Sequence, residues 1–160
     1  MTNERVDALV KQLDVGHSPG DGKLLYREGY KFVVHEPLIV RTGIIGWPFV
    51  IHDKMGRVLG QHFDQGLLVI NPSYAWNGES VSPYDTKAVI RASCAHDIAY
   101  QGGNQGSMSH NARGLWDDLY RRMMLIDGAW RVTAAVKRSM LGQFAGFAYA
   151  QQAPEVLTAP

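Results

Sequence analysis

The stretch 86-TKAVIRASCAHDIAYQGG-103 decides the fold class, because a pattern typical of strands gives way there to a helical one. His96 and Asp97 stand side by side in this otherwise largely apolar run. Asp85 or Thr86 can cap its start and Gly102 can stop it. We therefore predict a helix that runs to about residue 101, the first of three between residues 85 and 149.

The residues before this helix, from 23 to 74, are predicted to form four to six short, mostly antiparallel strands. Segments rich in β-branched and aromatic residues alternate there with glycine, proline or asparagine. Residues 53–56, Asp-Lys-Met-Gly, have the composition of a hairpin turn. Strands followed by helices predict an α+β fold. The segments are LLYREG, YKFVVH, LIVRTG, FVIHD, VLGQHF and LLVIN.

Two more helices are predicted after the first, to complete a bundle of three. One runs from about residue 109 to 126 and the other from about 129 to 149, with Gly128 as the break between them. The expected apolar stripe of the second helix is Leu115, Leu119, Met123 and Ile126. That of the third is Trp130, Ala134, Leu141, Phe144 and Ala148.

The two ends of the chain carry different patterns. Residues 3–14 have apolar side chains at helical spacing with charges between them, which predicts a short amphipathic helix. Residues 151–160 have little to bury and are expected to form an extended tail. The chain has 160 residues, so we expect residues 1–150 to form one α+β domain.

Charge and cysteine content exclude several classes of protein. The formal net charge is +1, and no basic run is longer than Arg121-Arg122, so we predict no nucleic-acid partner. Cys94 is the single cysteine, which excludes an internal disulfide and a cysteine-cluster zinc site. We expect a buried, inert thiol at this position.

No segment of the sequence has the character of a secretion signal or of a membrane span. Residues 1–14 carry charges throughout and lack an apolar core, so we predict no signal peptide. The longest weakly polar run, residues 139–150, is shorter than the roughly 20 residues that cross a bilayer. We therefore expect no transmembrane helix and a soluble, intracellular protein at synthesis.

The first helix carries a candidate catalytic histidine. Val89, Ser93, His96 and Tyr100 recur at spacings of four, three and four residues, so they share one helical face. Asp97 lies about 100° around the helix, so we expect it to point in a different direction from His96 and not to form a simple hydrogen-bonded dyad with it.

A histidine near its ordinary pKa is suited to act as a general base, and a carboxylate on another element usually fixes its tautomer. The second helix offers Asp117 and Asp118. One of them can reach His96 if the two helices pack antiparallel. The alternative is that His96 is a polar residue near the core, satisfied by Asp117 or by a backbone carbonyl.

A second motif, 74-YAWNGESVSP-83, follows the strand region. Gly78 permits a left-handed turn, and Asn77, Ser80 and neighbouring short polar side chains can cap backbone amides. The Asp97 carboxylate can accept hydrogen bonds from these amides. Asn77 and Glu79 are also potential oxygen ligands of a hard cation. We favour a structural turn here, made by Trp76, Asn77, Gly78, Ser80 and Pro83.

The order of these motifs resembles the bacteriophage and prophage family known as domain of unknown function 1353. The shared order is a strand, WNGES-x-SP, a helix with HD-x-x-Y and a helix with R-x-x-x-D-D-L-Y-x-x-M, over about residues 60–146. Asn77 and Trp116 stand where that family usually has aspartate and alanine. The resemblance implies a phage-encoded protein of the tail or virion and supplies no activity. The matching positions are Gly78, Ser80, Pro83, His96, Asp97, Tyr100 and Asp117.

The HD-x-x-Y helix is also similar to the catalytic helix of secreted and parvoviral phospholipases A2. This resemblance implies that His96 activates water, that Asp97 binds calcium and that Asp117 orients the histidine, with Tyr100 beside them. Calcium is the only cofactor that it implies, and otherwise we expect none.

Two functions follow as hypotheses. The first is a structural or accessory virion protein of the tail or ejected core. Its expected partners are other virion proteins, and it can also form oligomers. The second is a small hydrolase of the host envelope, directed at phospholipid or cell wall, with His96 as general base. Membrane contact is expected only for the hydrolase. The location is then the virion or the host cytoplasm. A weaker third hypothesis is an intracellular effector that binds a host protein.

Overall fold

The computed structural model of the protein describes residues 26–27, 32–78, 86–104 and 112–151, with the backbone alone at 26–27, 104 and 142–151. The helix predicted at 3–14 and almost all of the tail predicted at 151–160 lie outside these ranges. The described residues form seven strands followed by three helices, which confirms the α+β class.

The strands form two small antiparallel sheets. The smaller has the order β1-β2-β7 and the larger β3-β6-β5-β4. Seven strands exceed the predicted four to six, because residues 75–76 also pair with β2. The strand bounds are Tyr26–Arg27 (β1), Phe32–Val34 (β2), Leu38–Arg41 (β3), Phe49–His52 (β4), Val58–Phe63 (β5), Leu67–Ile70 (β6) and Ala75–Trp76 (β7).

The predicted hairpin turn joins β4 to β5 as expected. Gly56 has φ 78°, and its amide donates to the Asp53 carbonyl at 3.0 Å. The Asp53 side chain closes the turn, since its Oδ1 accepts from the amides of Met55 at 2.8 Å and Arg57 at 2.9 Å. The sequence signal sufficed here because the turn is made entirely by local hydrogen bonds.

Strand β6 of the larger sheet is buried on both faces, to which alternate residues along the strand point. Leu68 and Ile70 of β6 belong to the main core, together with side chains of the helices. Leu67 and Val69 form a small cluster on the other face with Ile39 and Phe63. As a result all four residues of β6 are buried.

The first helix, α1, spans Lys87–Asn104 and packs closely on the larger sheet. A Cβ at Gly60 of β5 would collide with the Ile98 side chain, so a glycine there permits the close approach. The prediction that Gly102 stops α1 was wrong. Gly102 and Gly103 lie inside the helix, and a Cβ at Gly102 would stand 3.1 Å from the Phe49 ring. The glycine serves helix–sheet packing.

The second and third helices, α2 and α3, span Arg113–Ile126 and Arg131–Gln151. The break at Gly128 is confirmed by its φ of 91°. Leu119 and Met123 are buried as predicted, but Leu115 and Ile126 are exposed, and Trp130 is also exposed. Helical spacing alone shows which residues share a face, whereas the packing of α1 decides which face is covered. The buried residues of α2 are Trp116, Asp117, Leu119, Tyr120, Met123 and Met124.

The helix α1 starts directly after one of the two residues that were predicted to cap it. The Thr86 carbonyl accepts the first hydrogen bonds of α1, from the amides of Val89 at 2.8 Å and Ile90 at 3.3 Å.

Within the described ranges, no helix combines the length and the hydropathy that crossing a bilayer requires.

Candidate functional site

The antiparallel pairing of α1 with α2 builds the candidate site. Arg91, near the start of α1, donates to both carboxylate oxygens of Asp127, just beyond the end of α2, at 3.0 and 2.8 Å. At the opposite end, Arg113, the first residue of α2, donates through Nε to the Tyr100 hydroxyl at 3.0 Å. The residues predicted for the site lie between these two contacts.

Asp117 is the acceptor at the centre of the site. His96 Nε2 lies 2.9 Å from Asp117 Oδ1, and the Tyr100 hydroxyl donates to the same oxygen at 2.6 Å. Asp117 rather than Asp118 makes this contact, because Asp118 faces solvent and pairs with Arg138 of α3 at 2.9 Å. The structure therefore brings together three of the four residues named as catalytic candidates.

The electrostatics of the site favour an ion pair between His96 and Asp117. Burial is the largest single effect and opposes charge on both groups, but the hydrogen bonds and opposite charges around them together outweigh it. The pKa of His96 is therefore raised, with help from Asp97, and the pKa of Asp117 is lowered, with help from Tyr100. His96 Nε2 then carries the proton that is donated to the carboxylate.

Tyr100 is held as a hydrogen-bond donor. Burial and the bond to Asp117 raise the pKa of Tyr100 far above its usual value, although Arg113 acts in the opposite direction. The His96 and Tyr100 rings lie in contact, with centroids 4.0 Å apart. The tyrosine therefore stays neutral and keeps its proton directed at Asp117.

Asp97 is the fourth candidate and lies at the edge of the site. Its Oδ1 is 4.0 Å from His96 Nδ1, beyond hydrogen-bonding reach, so the predicted absence of a hydrogen-bonded dyad holds. The carboxylate is close enough to raise the pKa of His96, and its side chain is 30% exposed.

Arg113 is a member of the site to which the sequence reading assigned no role. Its Nη2 donates to the Leu141 carbonyl of α3 at 2.7 Å, while its Nε donates to Tyr100. It thereby connects all three helices. The one signal for it was its position four residues before Asp117, which places both on one side of α2.

The motif that follows the strand region is attached to α1 by Trp76. Its indole Nε1 donates to Ser93 Oγ at 3.1 Å, and that hydroxyl donates to the Ile90 carbonyl at 2.9 Å. Gly78 has φ 78°, as expected for a left-handed turn, and Asn77 is exposed. Ser80 and Pro83 lie outside the described residues, as does Glu79.

A second buried polar cluster, on the larger sheet, was not predicted as a site. His62 Nδ1 lies 2.7 Å from the Trp47 carbonyl, and its Nε2 lies 2.9 Å from the Thr42 hydroxyl. Burial lowers the pKa of His62, which is the opposite direction to the shift at His96. The Trp116 indole Nε1 is buried nearby and has no hydrogen-bond partner among the described residues.

Among the residues that the structure describes, no three His, Cys, Asp or Glu side chains cluster where they could hold an ion. The calcium site implied by the phospholipase resemblance therefore stays a prediction.

Comparison with known proteins returns no relative. No protein-family model, no curated protein and no solved structure matches this chain.

Proposed function

We propose that the protein is a bacteriophage virion-associated structural or accessory protein, of the tail or the ejected core, with other virion proteins as partners. The phage setting is supported by the motif order WNGES-x-SP, HD-x-x-Y and R-x-x-x-D-D-L-Y. In this proposal the hydrogen-bonded cluster of His96, Tyr100, Arg113 and Asp117 has an architectural role, because it joins α1, α2 and α3.

The burial of His96 is the observation that carries the architectural role. The side chain is 5% exposed, and its Nε2 is committed to Asp117 at 2.9 Å. Its other ring nitrogen faces the Asp97 carboxylate. A general base needs an unprotonated nitrogen in contact with water or substrate, whereas this environment favours the doubly protonated ring.

Two measurements test this proposal. Mass spectrometry of purified phage particles is expected to find the protein at a fixed copy number, and its absence from the particles would overturn the virion assignment. His96→Gln is expected to lower the free energy of unfolding by about 2–4 kcal/mol, because it leaves Asp117 buried without its charged partner. His52→Gln, at an exposed histidine, is the matched control and should change little.

A hydrolase is the second candidate, favoured by one specific observation. A carboxylate orients His96 through one ring nitrogen while a second, partly exposed carboxylate lies beside the other. This is the division of labour that the phospholipase resemblance implies. The purified chain is incubated with phospholipid vesicles or peptidoglycan, with and without calcium. Turnover that His96→Gln abolishes, in a variant that remains folded, would replace the architectural role by catalysis.

A further inference from the structure

The corner between α2 and α3 exposes several large apolar side chains. Trp130, which precedes α3, is 82% exposed, and Val132, two residues later, is 73% exposed. Ile126, the last residue of α2, is 49% exposed. Only the turn at residues 127–129 separates Ile126 from Trp130, so these side chains share one end of the helical bundle. Clustered exposed apolar residues mark interaction sites more often than scattered ones do.

The same corner has an excess of positive charge. Arg131 lies between Trp130 and Val132, and Arg122 lies one helical turn before Ile126. Both arginines are exposed, and neither forms an ion pair with any carboxylate in the described part of the chain. The nearby Asp127 does not neutralise them, because Arg91 holds both of its oxygens.

We propose that this helix corner, defined as Arg122, Ile126, Trp130, Arg131 and Val132, docks on an anionic lipid surface. Tryptophan partitions to the boundary between headgroups and acyl chains, where its ring is buried and its N–H stays hydrated. Aliphatic neighbours enter the same layer, and arginines bind the lipid phosphates. The chain would lie on the surface, since no described helix has the length and hydropathy to span it.

Charge and chemistry favour lipid over two other occupants. A second copy of this chain in a twofold interface would bring Arg122 and Arg131 against the same two arginines, which repel. A nucleic acid would complement the arginines, but its sugar–phosphate surface offers little apolar contact to Ile126 and Val132. The formal net charge of +1 also gives no broad field for nucleic acid.

This inference does not rest on the proposed virion role or on catalysis. The sequence predicted membrane contact for a hydrolase alone, whereas the corner offers a route to lipid that is separate from the His96 site. A failure of lipid binding would therefore leave the proposed function intact, and absence from phage particles would leave the lipid site intact.

Vesicle flotation with the full chain tests the proposal. The probes are vesicles of phosphatidylcholine alone and of phosphatidylcholine with a quarter phosphatidylglycerol. We expect the protein to float with the anionic vesicles, to bind neutral ones weakly, and to dissociate as salt shortens the screening length. Arg122→Gln and Arg131→Gln should each weaken binding about fivefold. Trp130→Ser should weaken it by roughly tenfold or more.

Two control variants match these changes away from the corner. Met55→Ser removes an exposed apolar side chain from the β4–β5 turn, and Lys87→Gln removes an exposed charge at the start of α1. Both should bind anionic vesicles like the unchanged protein. Equal loss in the control and corner variants would overturn the assignment of the site.

Tryptophan fluorescence gives a second, independent measurement. Trp76 and Trp116 are buried and Trp47 is partly buried, so Trp130 is the tryptophan most open to solvent. A blue shift on addition of anionic vesicles is expected, and Trp130→Phe should remove it. Absence of binding to anionic vesicles would overturn the proposal. So would binding to a DNA or RNA oligonucleotide, or formation of a dimer, if the corner variants alone abolish it.

Discussion

A single oxygen of Asp117 accepts hydrogen bonds from both His96 and Tyr100, so this residue is expected to be the most sensitive polar position of the site. Asp117→Asn keeps the shape but removes the charge, which should cost about 2–4 kcal/mol of unfolding free energy and lower the pKa of His96. Chemical denaturation and an NMR titration of the imidazole measure the two effects. Asp118→Asn, at the exposed neighbouring residue, should cost about 0.5 kcal/mol or less. Equal losses in the two variants would contradict the central role of Asp117.

The His96–Asp117 pair also predicts a pH dependence with a definite sign. The folded-state pKa of His96 is raised, so its contribution is complete below the unfolded value of about 6.5 and is lost as pH rises through the folded value. The pKa of Asp117 is lowered, so its contribution is present above about pH 4 and is lost as pH falls further. The pair therefore stabilises the fold most between about pH 4 and 6.5.

The measurement is the difference in unfolding free energy between the unchanged protein and His96→Gln, from pH 5 to 9. We expect this difference to shrink as pH rises above about 6.5. Taking the difference removes the contribution of His62, whose lowered pKa acts with the opposite sign in the same range. A difference that stays constant across the range would mean that His96 titrates alike in the folded and unfolded chains.

Single residues also show where sequence reasoning succeeded and where it could not. The reach of Asp117 to His96 was predicted because it needs only helical spacing and an antiparallel neighbour. Arg113 received no role, because its acceptor at Leu141 lies on a third helix far along the chain. The polar cluster around His62 was missed for the same reason, since Thr42 and Trp47 lie on other segments.

At the scale of elements, replacement by alanine is expected to have opposite effects on stability at two glycines of the helices. A Cβ at Gly102 would lie 3.1 Å from a Phe49 ring that is itself packed against His62 and Trp116. Gly102→Ala should therefore destabilise the protein by about 1–2 kcal/mol, despite the better helix propensity of alanine.

Gly114→Ala is the matched control for this prediction. Apart from the adjacent residues and the helix's own backbone, no atom of the described residues lies within 4 Å of the Cβ position at Gly114 in the first turn of α2. The substitution should leave stability unchanged or raise it by up to about 1 kcal/mol. Thermal denaturation of both variants gives the comparison, and stabilisation by Gly102→Ala would show that α1 and β4 can separate without cost.

The elements themselves were easier to predict than their exposure. The strand segments and the break at Gly128 follow from local residue preferences, which a single sequence carries. The exposure of Leu115 and Ile126 does not, because it depends on the direction from which α1 meets α2. The continuation of α1 through Gly102 likewise depends on Phe49, about fifty residues earlier in the chain.

At the scale of the whole molecule, α1 connects the two sheets and the helical bundle. The small sheet is joined to it by the Trp76–Ser93 hydrogen bond at 3.1 Å. Ser93→Ala would remove the hydroxyl to which the buried indole N–H donates, at a cost of about 1–3 kcal/mol. Hydrogen exchange should show the amides of β2 and β7 losing protection first. Ser139→Ala on the exposed side of α3 is the control, and faster exchange confined to α2 would contradict this coupling.

The order of the elements has a consequence for the protein as it leaves the ribosome. The last strand of the larger sheet ends at Ile70, whereas α1, which covers that sheet, ends at Asn104. The roughly thirty residues between them take about two to seven seconds to synthesise at typical rates. Until α1 has emerged, Leu68 and Ile70 lack the helix that packs on them in the folded protein, and open apolar sheet faces are surfaces through which nascent chains aggregate. We therefore expect the nascent chain to be most prone to aggregation before α1 has emerged.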